Sequence, residues 1–354
     1  MQQRLTTATA ETGQIAHWGL SLGLQGTIEA WLEQSPEQLN SHQERGLRFR
    51  IARNHHQPNA HQILLGASRL ETLQQRWQAI EPSEEPIRIV LQGGLGDHLQ
   101  DLSALLPWLR VRQHPVQLGL TPIRANQFSR LLQAAGCEHL LAPTDSPAAT
   151  DLHILEVIAL VGSTTLQPQA WIPRQASAMP QAGLVCCWTA VGTDDPFSAW
   201  SRSVPFCQVL ELYRTLLANG WTAASIVDLS RWRPWEAEQL RQLGLQLVDP
   251  ARGDVLDLTQ QVSGASTVVS IDTALPHLCA AMGRPVWLLL PQFSDERWVE
   301  LLQPGTSYSQ HCQVIRQQQH GCWRGALDRL SRMLRSKNGP TFAPTAPDGL
   351  ATNG

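Results

Sequence analysis

The chain has 354 residues, 42% of them hydrophobic and 16% charged, so it is long enough for two domains of ordinary size plus extra elements. Its net charge of −3 predicts neither nucleic-acid binding nor attachment to anionic lipid. The seven cysteines form no CxxC pair, the first residues are polar, and no apolar run reaches the roughly 18 residues of a membrane span, so a cytoplasmic protein is expected.

Residues 1–85 predict a small α-helical region. Apolar residues recur at helical spacing over 15–32 and again over 60–80, and a serine–proline pair at 35–36 predicts a fresh helix start between them. No convincing internal repeat emerges. The polar, proline-rich stretch 81–86 predicts a linker, and residues 336–354, with three prolines and three glycines, predict a disordered tail.

A glycine-rich turn follows the linker. The apolar run IRIVL at 87–91 predicts a buried strand, and Gly93, Gly94 and Gly96 then open a helix, so that backbone can approach a ligand closely. A dinucleotide fingerprint fails because its third glycine is replaced by Leu99. Asp97 at the helix start is either a capping carboxylate or a general base at the rim of a cleft, and the residues leave both interpretations open.

Strands and helices alternate over two blocks, 86–175 and 181–335. This alternation predicts two parallel sheets covered by helices on both faces. Each block carries a glycine or Asp-Thr turn at the carboxyl end of a strand, where open α/β sheets bind ligands. A cleft between the blocks would place Asp97 opposite Asp272 and His277.

The stretch 267–291, TVVSIDTALPHLCAAMGRPVWLLLP, predicts strand, turn, helix and strand. Asp272 and Thr273 fall where a helix N-cap belongs, and free N–H groups at a helix start suit a phosphate. His277 lies one turn into the helix. It is either a structural residue or close enough to reach an anion bound at the helix start.

These segments carry a resemblance to a known family. GGLGDHLQDLSALLPWL resembles the first strand–loop–helix of family 9 glycosyltransferases, the ADP-heptose:lipopolysaccharide heptosyltransferase group with a GT-B fold. VSIDTALPHLCAAMGRPVWLLLP resembles that family's donor-pyrophosphate segment, and the stretches SRSVP at 201–205 and SDERW at 294–298 are also similar to it. The resemblance covers residues 86–335, and similar cassettes occur behind tetratricopeptide-like helical regions.

The resemblance implies an α/β protein with a GT-B fold: two Rossmann-like parallel-sheet domains facing a cleft, with the acceptor side in 86–175 and the nucleotide sugar in 181–335. It implies inverting, metal-independent transfer of a heptose-like sugar from a nucleotide-diphosphate donor such as ADP-heptose to a glycan or lipopolysaccharide-like acceptor of the cell envelope. The nucleotide sugar is a co-substrate, and no cofactor or metal is expected. Residues 15–80 are candidates for contact with a protein partner.

The same resemblance implies roles for particular residues. Asp97 would take the proton from the acceptor hydroxyl, and the loop with Gly93, Gly94 and Gly96 would contact the substrates. The residues implied to hold the donor diphosphate are Asp272, Thr273, Ala274, His277 and Arg202.

Two departures from the family pattern count against heptose as the sugar, and the first of them also supports an alternative function. The loop 189–205 contains no lysine, which leaves Arg202 as its single cation, and Pro276 occupies a position that is usually small or polar. The alternative is a catalytically inactive protein that keeps the GT-B scaffold to bind a nucleotide or glycan. The presence of Asp97, Asp272 and His277 favours the enzyme. The acidic pair at 194–195 is interpreted as a loop, because Pro196 follows it.

Overall fold

The structure of the chain is a computed structural model. The described residues are 15–16, 18–20, 23–34, 39, 41–55, 57, 59–80, 86–111, 115–143, 151–162, 165–173, 183–190, 196–219, 224–227, 232–248 and 254–335. The predicted linker (apart from Pro86), the predicted tail and the acidic pair at 194–195 lie outside them.

Two parallel sheets form the body of the protein, as predicted. The first has the strand order β3-β2-β1-β4, and the second has the order β10-β9-β8-β5-β6-β7. The strands are β1 (Ile87–Val90), β2 (Val116–Leu120), β3 (Leu141–Pro143), β4 (Leu152–His153), β5 (Leu184–Cys187), β6 (Ala224–Val227), β7 (Gln246–Val248), β8 (Thr267–Ile271), β9 (Val286–Leu290) and β10 (Cys312–Arg316). We call the first sheet with its helices the N-terminal unit and the second the C-terminal unit.

Helices cover both sheets and form the region in front of them. In that helical region they are α1 (Gln25–Gln34), α2 (Ser41–Asn54), α3 (Ala60–Leu65) and α4 (Ala67–Ile80). In the N-terminal unit they are α5 (Leu95–Arg110), α6 (Pro122–Ala134) and α7 (Ile154–Val161). In the C-terminal unit they are α8 (Pro196–Arg202), α9 (Phe206–Ala218), α10 (Pro234–Gln242), α11 (Val255–Gly264), α12 (Ala274–Ala281), α13 (Arg297–Leu301), α14 (Ser307–His311) and α15 (Arg324–Arg335). Within the described part of the chain, none of these helices combines the length and apolar character needed to cross a membrane.

The helical region differs from the sequence prediction in two places, both at glycines. A single helix was predicted over 60–80, but Gly66 has φ +78° and separates α3 from α4. The helix predicted over 15–32 is interrupted in the same way, since Gly23 has φ +77° and α1 starts two residues later. A positive φ is incompatible with a continuing right-handed helix, and glycine adopts it without steric cost.

Each sheet reverses its strand order at one point. In the N-terminal unit β1 lies between β2 and β4, and in the C-terminal unit β5 lies between β6 and β8. Helices leave such neighbouring strands in opposite directions, so a crevice opens at the carboxyl ends of the strands. The glycine turn after β1 and the Asp-Thr turn after β8 lie at the carboxyl ends of strands, as the sequence predicted, and both of these strands border a reversal point.

The two units are joined by a continuous apolar core. Leu99, Leu102 and Leu105 of α5 belong to the same buried cluster as Leu275 and Leu278 of α12. The approach is closest at the start of the two helices. A Cβ atom added to Gly96 would lie 2.9 Å from Cδ2 of His277 and 3.3 Å from Cα of Ala274. The units therefore touch along α5 and α12.

The helical region contacts both units. On the N-terminal unit, Arg69 forms an ion pair with Glu156 of α7 at 2.6 Å. On the C-terminal unit, Arg53 forms one with Glu300 of α13 at 2.6 Å, and Arg50 pairs with the neighbouring Glu296 at 2.9 Å. The helical region thus bridges the two units.

The contact at Gly96 yields a stability prediction. Gly96→Ala should lower the free energy of unfolding by about 1–3 kcal/mol, because the added methyl group overpacks the interface between α5 and α12. Urea unfolding followed by circular dichroism measures this change.

Gly26→Ala is the matched control. Gly26 is an exposed helical residue with open space around its Cα, so alanine there should stabilise the protein by about 0.5–1 kcal/mol. Equal effects of the two substitutions would contradict the close approach at Gly96.

Candidate functional site

Asp97 is held by hydrogen bonds on both of its carboxylate oxygens. It occupies the third position of α5, where Oδ2 accepts from the backbone N–H of Gly94 at 2.7 Å. Oδ1 accepts from Nη1 of Arg297 at 2.6 Å, across the junction of the two units. The side chain remains 39% exposed. The capping interaction considered for Asp97 thus uses one oxygen, and the other oxygen belongs to an ion pair between the units.

Arg297 joins two carboxylates. Its Nη2 donates to Oδ2 of Asp295 at 3.1 Å while its Nη1 is bound to Asp97, and these carboxylates hold the pKa of the guanidinium well above its ordinary range. Burial alone would raise the pKa of Asp97. Arg297 and the Gly94 N–H outweigh it, so that this pKa lies below its ordinary value. Asp97 is therefore ionised at neutral pH.

The glycines of the loop are explained by close packing, whereas the sequence suggested that they admit a ligand. Gly93 has φ +102°, and a Cβ atom there would lie 2.5 Å from Oδ2 of Asp97. The space beside Gly93 is thus filled by the carboxylate itself. Gly94 provides the capping N–H, and Gly96 admits the start of α12. Contact of this loop with a substrate stays a prediction, and the packing alone explains the choice of glycine at positions 93 and 96.

The Asp-Thr turn lies at the reversal point of the second sheet. Asp272 is 2% exposed, and Arg202 donates to its backbone carbonyl at 3.0 Å and lies 3.6 Å from its Oδ2. Thr273 is the N-cap residue of α12, with its hydroxyl 3.1 Å from that of Ser270. Ala274 begins the helix and is partly exposed. The structure thus brings the predicted cation and the predicted turn together.

His277 lies near this turn, but its ring is directed into the protein. It is 1% exposed, its Nδ1 lies 2.8 Å from the hydroxyl of Tyr308, and its ring stacks on Trp298 at 5.2 Å. Burial, and then Arg297, lower its pKa to about 4, so the imidazole is neutral. These contacts give His277 a packing role between α12, α13 and α14. A role in holding phosphate stays a prediction.

Asp97 also lines a cavity of about 770 Å³. The helical region, the N-terminal unit and the segment 295–306 of the C-terminal unit all contribute to its walls. Asp101, one helical turn after Asp97, also lines it. Burial, and then the neighbouring Asp97, raise the pKa of Asp101 well above its ordinary value and so favour the protonated form of its carboxyl group.

Sequence reasoning assigned no role to Arg297, Asp295 or Asp101. The segment 294–298 was noticed for its resemblance, but nothing in a linear pattern shows that Arg297 reaches a carboxylate two hundred residues earlier. The signal for Asp101 was its spacing of four from Asp97 on an apolar helix face, which places both carboxyl groups on one side. Within the described ranges, no group of three or more His, Cys, Asp or Glu side chains could hold a metal ion.

Comparisons with known proteins give a fold likeness only. The chain matches no family model and no curated protein. Among solved structures it is similar to the ADP-heptose lipopolysaccharide heptosyltransferase II of E. coli, with 13% identity and a TM-score of 0.44, over 71% of this chain and 98% of that one.

Two further structures are similar at the same level. They are a family 9 glycosyl transferase from Veillonella parvula (11% identity, TM-score 0.43, 73% of this chain and 91% of that one) and the E. coli heptosyltransferase WaaC with ADP (15% identity, TM-score 0.40, 72% and 99%). Likenesses at this level of identity concern the fold alone and assign no function.

The ion pair between Asp97 and Arg297 can be tested by titration. In Arg297→Gln the burial of Asp97 is no longer outweighed by a cation, so its pKa should rise from below to above the ordinary value of about 3.9. A carboxyl-carbon NMR titration measures this, with the Asp97 signal assigned by its loss in Asp97→Asn. Because a lowered pKa adds stability that disappears on acidification, the variant should also lose less stability than the wild type as the pH falls through 4.

Arg202→Gln serves as the control, since Arg202 pairs with Asp272 and should leave the titration of Asp97 unchanged. An Asp97 that titrates at the same pH in Arg297→Gln as in the wild type would refute the pairing.

Proposed function

We propose that the protein is a glycosyltransferase that transfers a sugar from a nucleotide-diphosphate donor to a hydroxyl acceptor, with inversion and without a metal ion. The observation that carries the proposal is the position of Asp97. Asp97 is an ionised carboxylate in the first turn of α5, at the reversal point of the first sheet. It lines a cavity that is large enough for a small ligand. The sequence resemblance to family 9 glycosyltransferases supports the same chemistry.

In the proposed reaction the acceptor lies in the cavity. Its hydroxyl oxygen attacks the anomeric carbon of the donor, the bond from that carbon to the diphosphate breaks, and the electron pair leaves with the diphosphate. The hydroxyl proton goes to Asp97. A carboxylate has about four lone-pair sites, so the bonds from Gly94 and Arg297 leave capacity for the acceptor hydroxyl. Arg297 keeps Asp97 in the ionised form that a base requires.

The donor diphosphate is assigned to the start of α12. The N–H groups of Ala274 and Leu275 have no intrahelical acceptor, and the positive end of the helix dipole lies there. Pro276 has no N–H, so this helix offers one donor fewer than most helix starts. Arg202 lies 3.6 Å from Oδ2 of Asp272 and would add positive charge once the diphosphate competes with Asp272 for it. Such preorganised groups stabilise the charge that develops on a leaving group.

The resemblance suggests more specific substrates. ADP-heptose is the first donor to test, and a cell-envelope glycan of the lipopolysaccharide type is the acceptor that the family implies. A reducing cytoplasm suits a protein whose described cysteines are all unpaired. The helical region spans both units, which supports a role in substrate or partner recognition for residues 15–80.

A catalytically inactive binding protein is the second candidate. It is favoured by the internal pairing of both arginines near the site, Arg297 with Asp97 and Asp295, and Arg202 with Asp272. A protein of this kind would bind a nucleotide diphosphate without turnover.

Substitution of the proposed base separates the two candidates. Asp97→Asn keeps the shape of the side chain and an oxygen for the Gly94 N–H, but loses its basicity. Release of nucleoside diphosphate from a panel of ADP- and UDP-sugars should fall by about 10²–10⁴-fold. Binding of ADP and UDP, measured by thermal shift, should stay as in the wild type.

Asp328→Asn, the same substitution at an exposed position of α15, is the control and should leave turnover unchanged. Turnover in Asp97→Asn at the wild-type rate would disprove the base assignment. A wild-type protein that binds a diphosphate but never releases one from a sugar would be the inactive scaffold.

Metal independence is a separate prediction. With α12 and Arg202 neutralising the diphosphate, EDTA should leave the rate of nucleoside diphosphate release unchanged. A rate that falls in EDTA and returns with Mg²⁺ or Mn²⁺ would contradict it.

A further inference from the structure

The cavity beside Asp97 has walls from three parts of the chain. Phe49 and Arg53 of α2 and His61 of α3 form one side. The N-terminal unit contributes Asp97 and Asp101 from α5, and the segment 295–306 completes the enclosure. The wall built by the helical region belongs neither to the parallel sheets nor to the helices that cover them.

The charges of this cavity oppose an anionic ligand. Among the lining residues that the structure describes there are two arginines, Arg53 and Arg297, and each is paired with a carboxylate. The remaining ionisable lining groups add no positive charge. Burial lowers the pKa of His61 to about 4 and also lowers that of His153, so both imidazoles are neutral. The carboxylates that line the cavity are Asp97, Asp295, Glu296 and Glu300.

Asp101 supplies an unused polar group to the same cavity. Its side chain is 9% exposed, and no hydrogen bond or ion pair from the described part of the chain reaches it. Burial raises the pKa of Asp101 and so favours its protonated form, in which the carboxyl group is a hydrogen-bond donor that also retains acceptor capacity. The side-chain oxygen of the preceding Gln100, which also lines the cavity, is buried and likewise has no partner among the described residues. Buried polar atoms without partners are uncommon in folded proteins, so the oxygen of Gln100 points to a ligand that satisfies it.

We infer that this cavity is the acceptor subsite, that it takes an uncharged, polyhydroxylated acceptor such as a neutral saccharide, and that Asp101 is a specificity-determining residue that hydrogen bonds to it. The inference rests on the proposed function and names its acceptor class. A saccharide hydroxyl both donates and accepts, so it can serve Asp101 and its polar neighbours at once. Asp101 lies one turn from Asp97, so two neighbouring hydroxyls of one sugar ring could meet the two side chains. Asp101 forms only a hydrogen bond, and no proton transfer is assigned to it.

Binding of small saccharides to the full chain without nucleotide tests this inference. The probes are maltose and trehalose, each compared with its phosphorylated counterpart, maltose 1-phosphate and trehalose 6-phosphate. Saturation-transfer NMR titrations should detect the neutral disaccharides. The phosphorylated ones should bind at least about tenfold more weakly, because the cavity lining contains more carboxylates than arginines and repels an added negative charge.

Two substitutions of Asp101 separate a hydrogen-bonding role from a role of charge or shape. Asp101→Asn keeps an uncharged donor and acceptor, so disaccharide affinity should stay within about twofold of the wild type, whereas Asp101→Leu should weaken it about fivefold. Asp328→Asn is again the control and should bind as the wild type does. Thermal melts establish folding. Asp101→Asn should melt higher than the wild type at pH 8, because a buried carboxyl with a raised pKa loses stability as the pH rises toward that pKa.

Any of the following results would overturn the inference: no binding of either neutral disaccharide, equal or tighter binding of the phosphorylated ones, or an Asp101→Leu protein that binds like the wild type. An Asp101→Asn protein as weak as Asp101→Leu would also do so, since it would show that the charge is needed. Because these titrations contain no nucleotide, their failure is distinct from failure of the proposed function, which would appear as the absence of diphosphate binding or release.

Discussion

The candidate site depends on the ion pairs that Arg297 forms with Asp97 and Asp295. Arg297 extends from the C-terminal unit to Asp97 of the N-terminal unit and also holds Asp295, so one guanidinium connects two carboxylates across the junction. Asp97 is more than one-third exposed, and the pair is therefore partly screened by solvent and contributes modestly to stability. Its larger effect is on protonation and orientation. It keeps Asp97 ionised and directs the carboxylate toward the space between the units.

Much of the fold could be predicted from the sequence, because it depends on local patterns. Strands such as Val286–Leu290 are continuous apolar runs, as expected for parallel strands buried on both faces. Gly283, with φ +61°, ends the helix that precedes this strand. Once two blocks of alternating strands and helices are recognised, the rule that ligands bind where the strand order reverses places the glycine turn and the Asp-Thr turn at functional edges. The break at Gly66 was missed because an apolar helical period continues on both sides of it.

The candidate site was only partly predictable, since its side chains meet through contacts distant in sequence. His277 was correctly placed near a helix start, but periodicity could not show that Trp298 and Tyr308 surround its ring. The raised pKa of Asp101 follows from its burial beside another carboxylate, and both conditions exist only in the folded chain. Likewise, ligand access was the reason predicted for a glycine at position 93, whereas in the folded chain the neighbouring carboxylate of Asp97 leaves no room for a larger side chain.

The helical region links the geometry of the cavity to the relation between the two units. It is bound to the N-terminal unit through Arg69 and Glu156, and to the C-terminal unit through Arg50 and Arg53. If the two units moved apart, the helical region could stay bound to only one of them. Either the ion pairs with Glu296 and Glu300 or the ion pair with Glu156 would then break. Glu296 is largely buried, so separating it from Arg50 would leave a poorly solvated charge, which costs more than breaking an exposed pair. The bridge therefore favours one separation of the units, and with it one size of cavity beside Asp97. A ligand selected by that cavity is selected in part by residues outside both sheets.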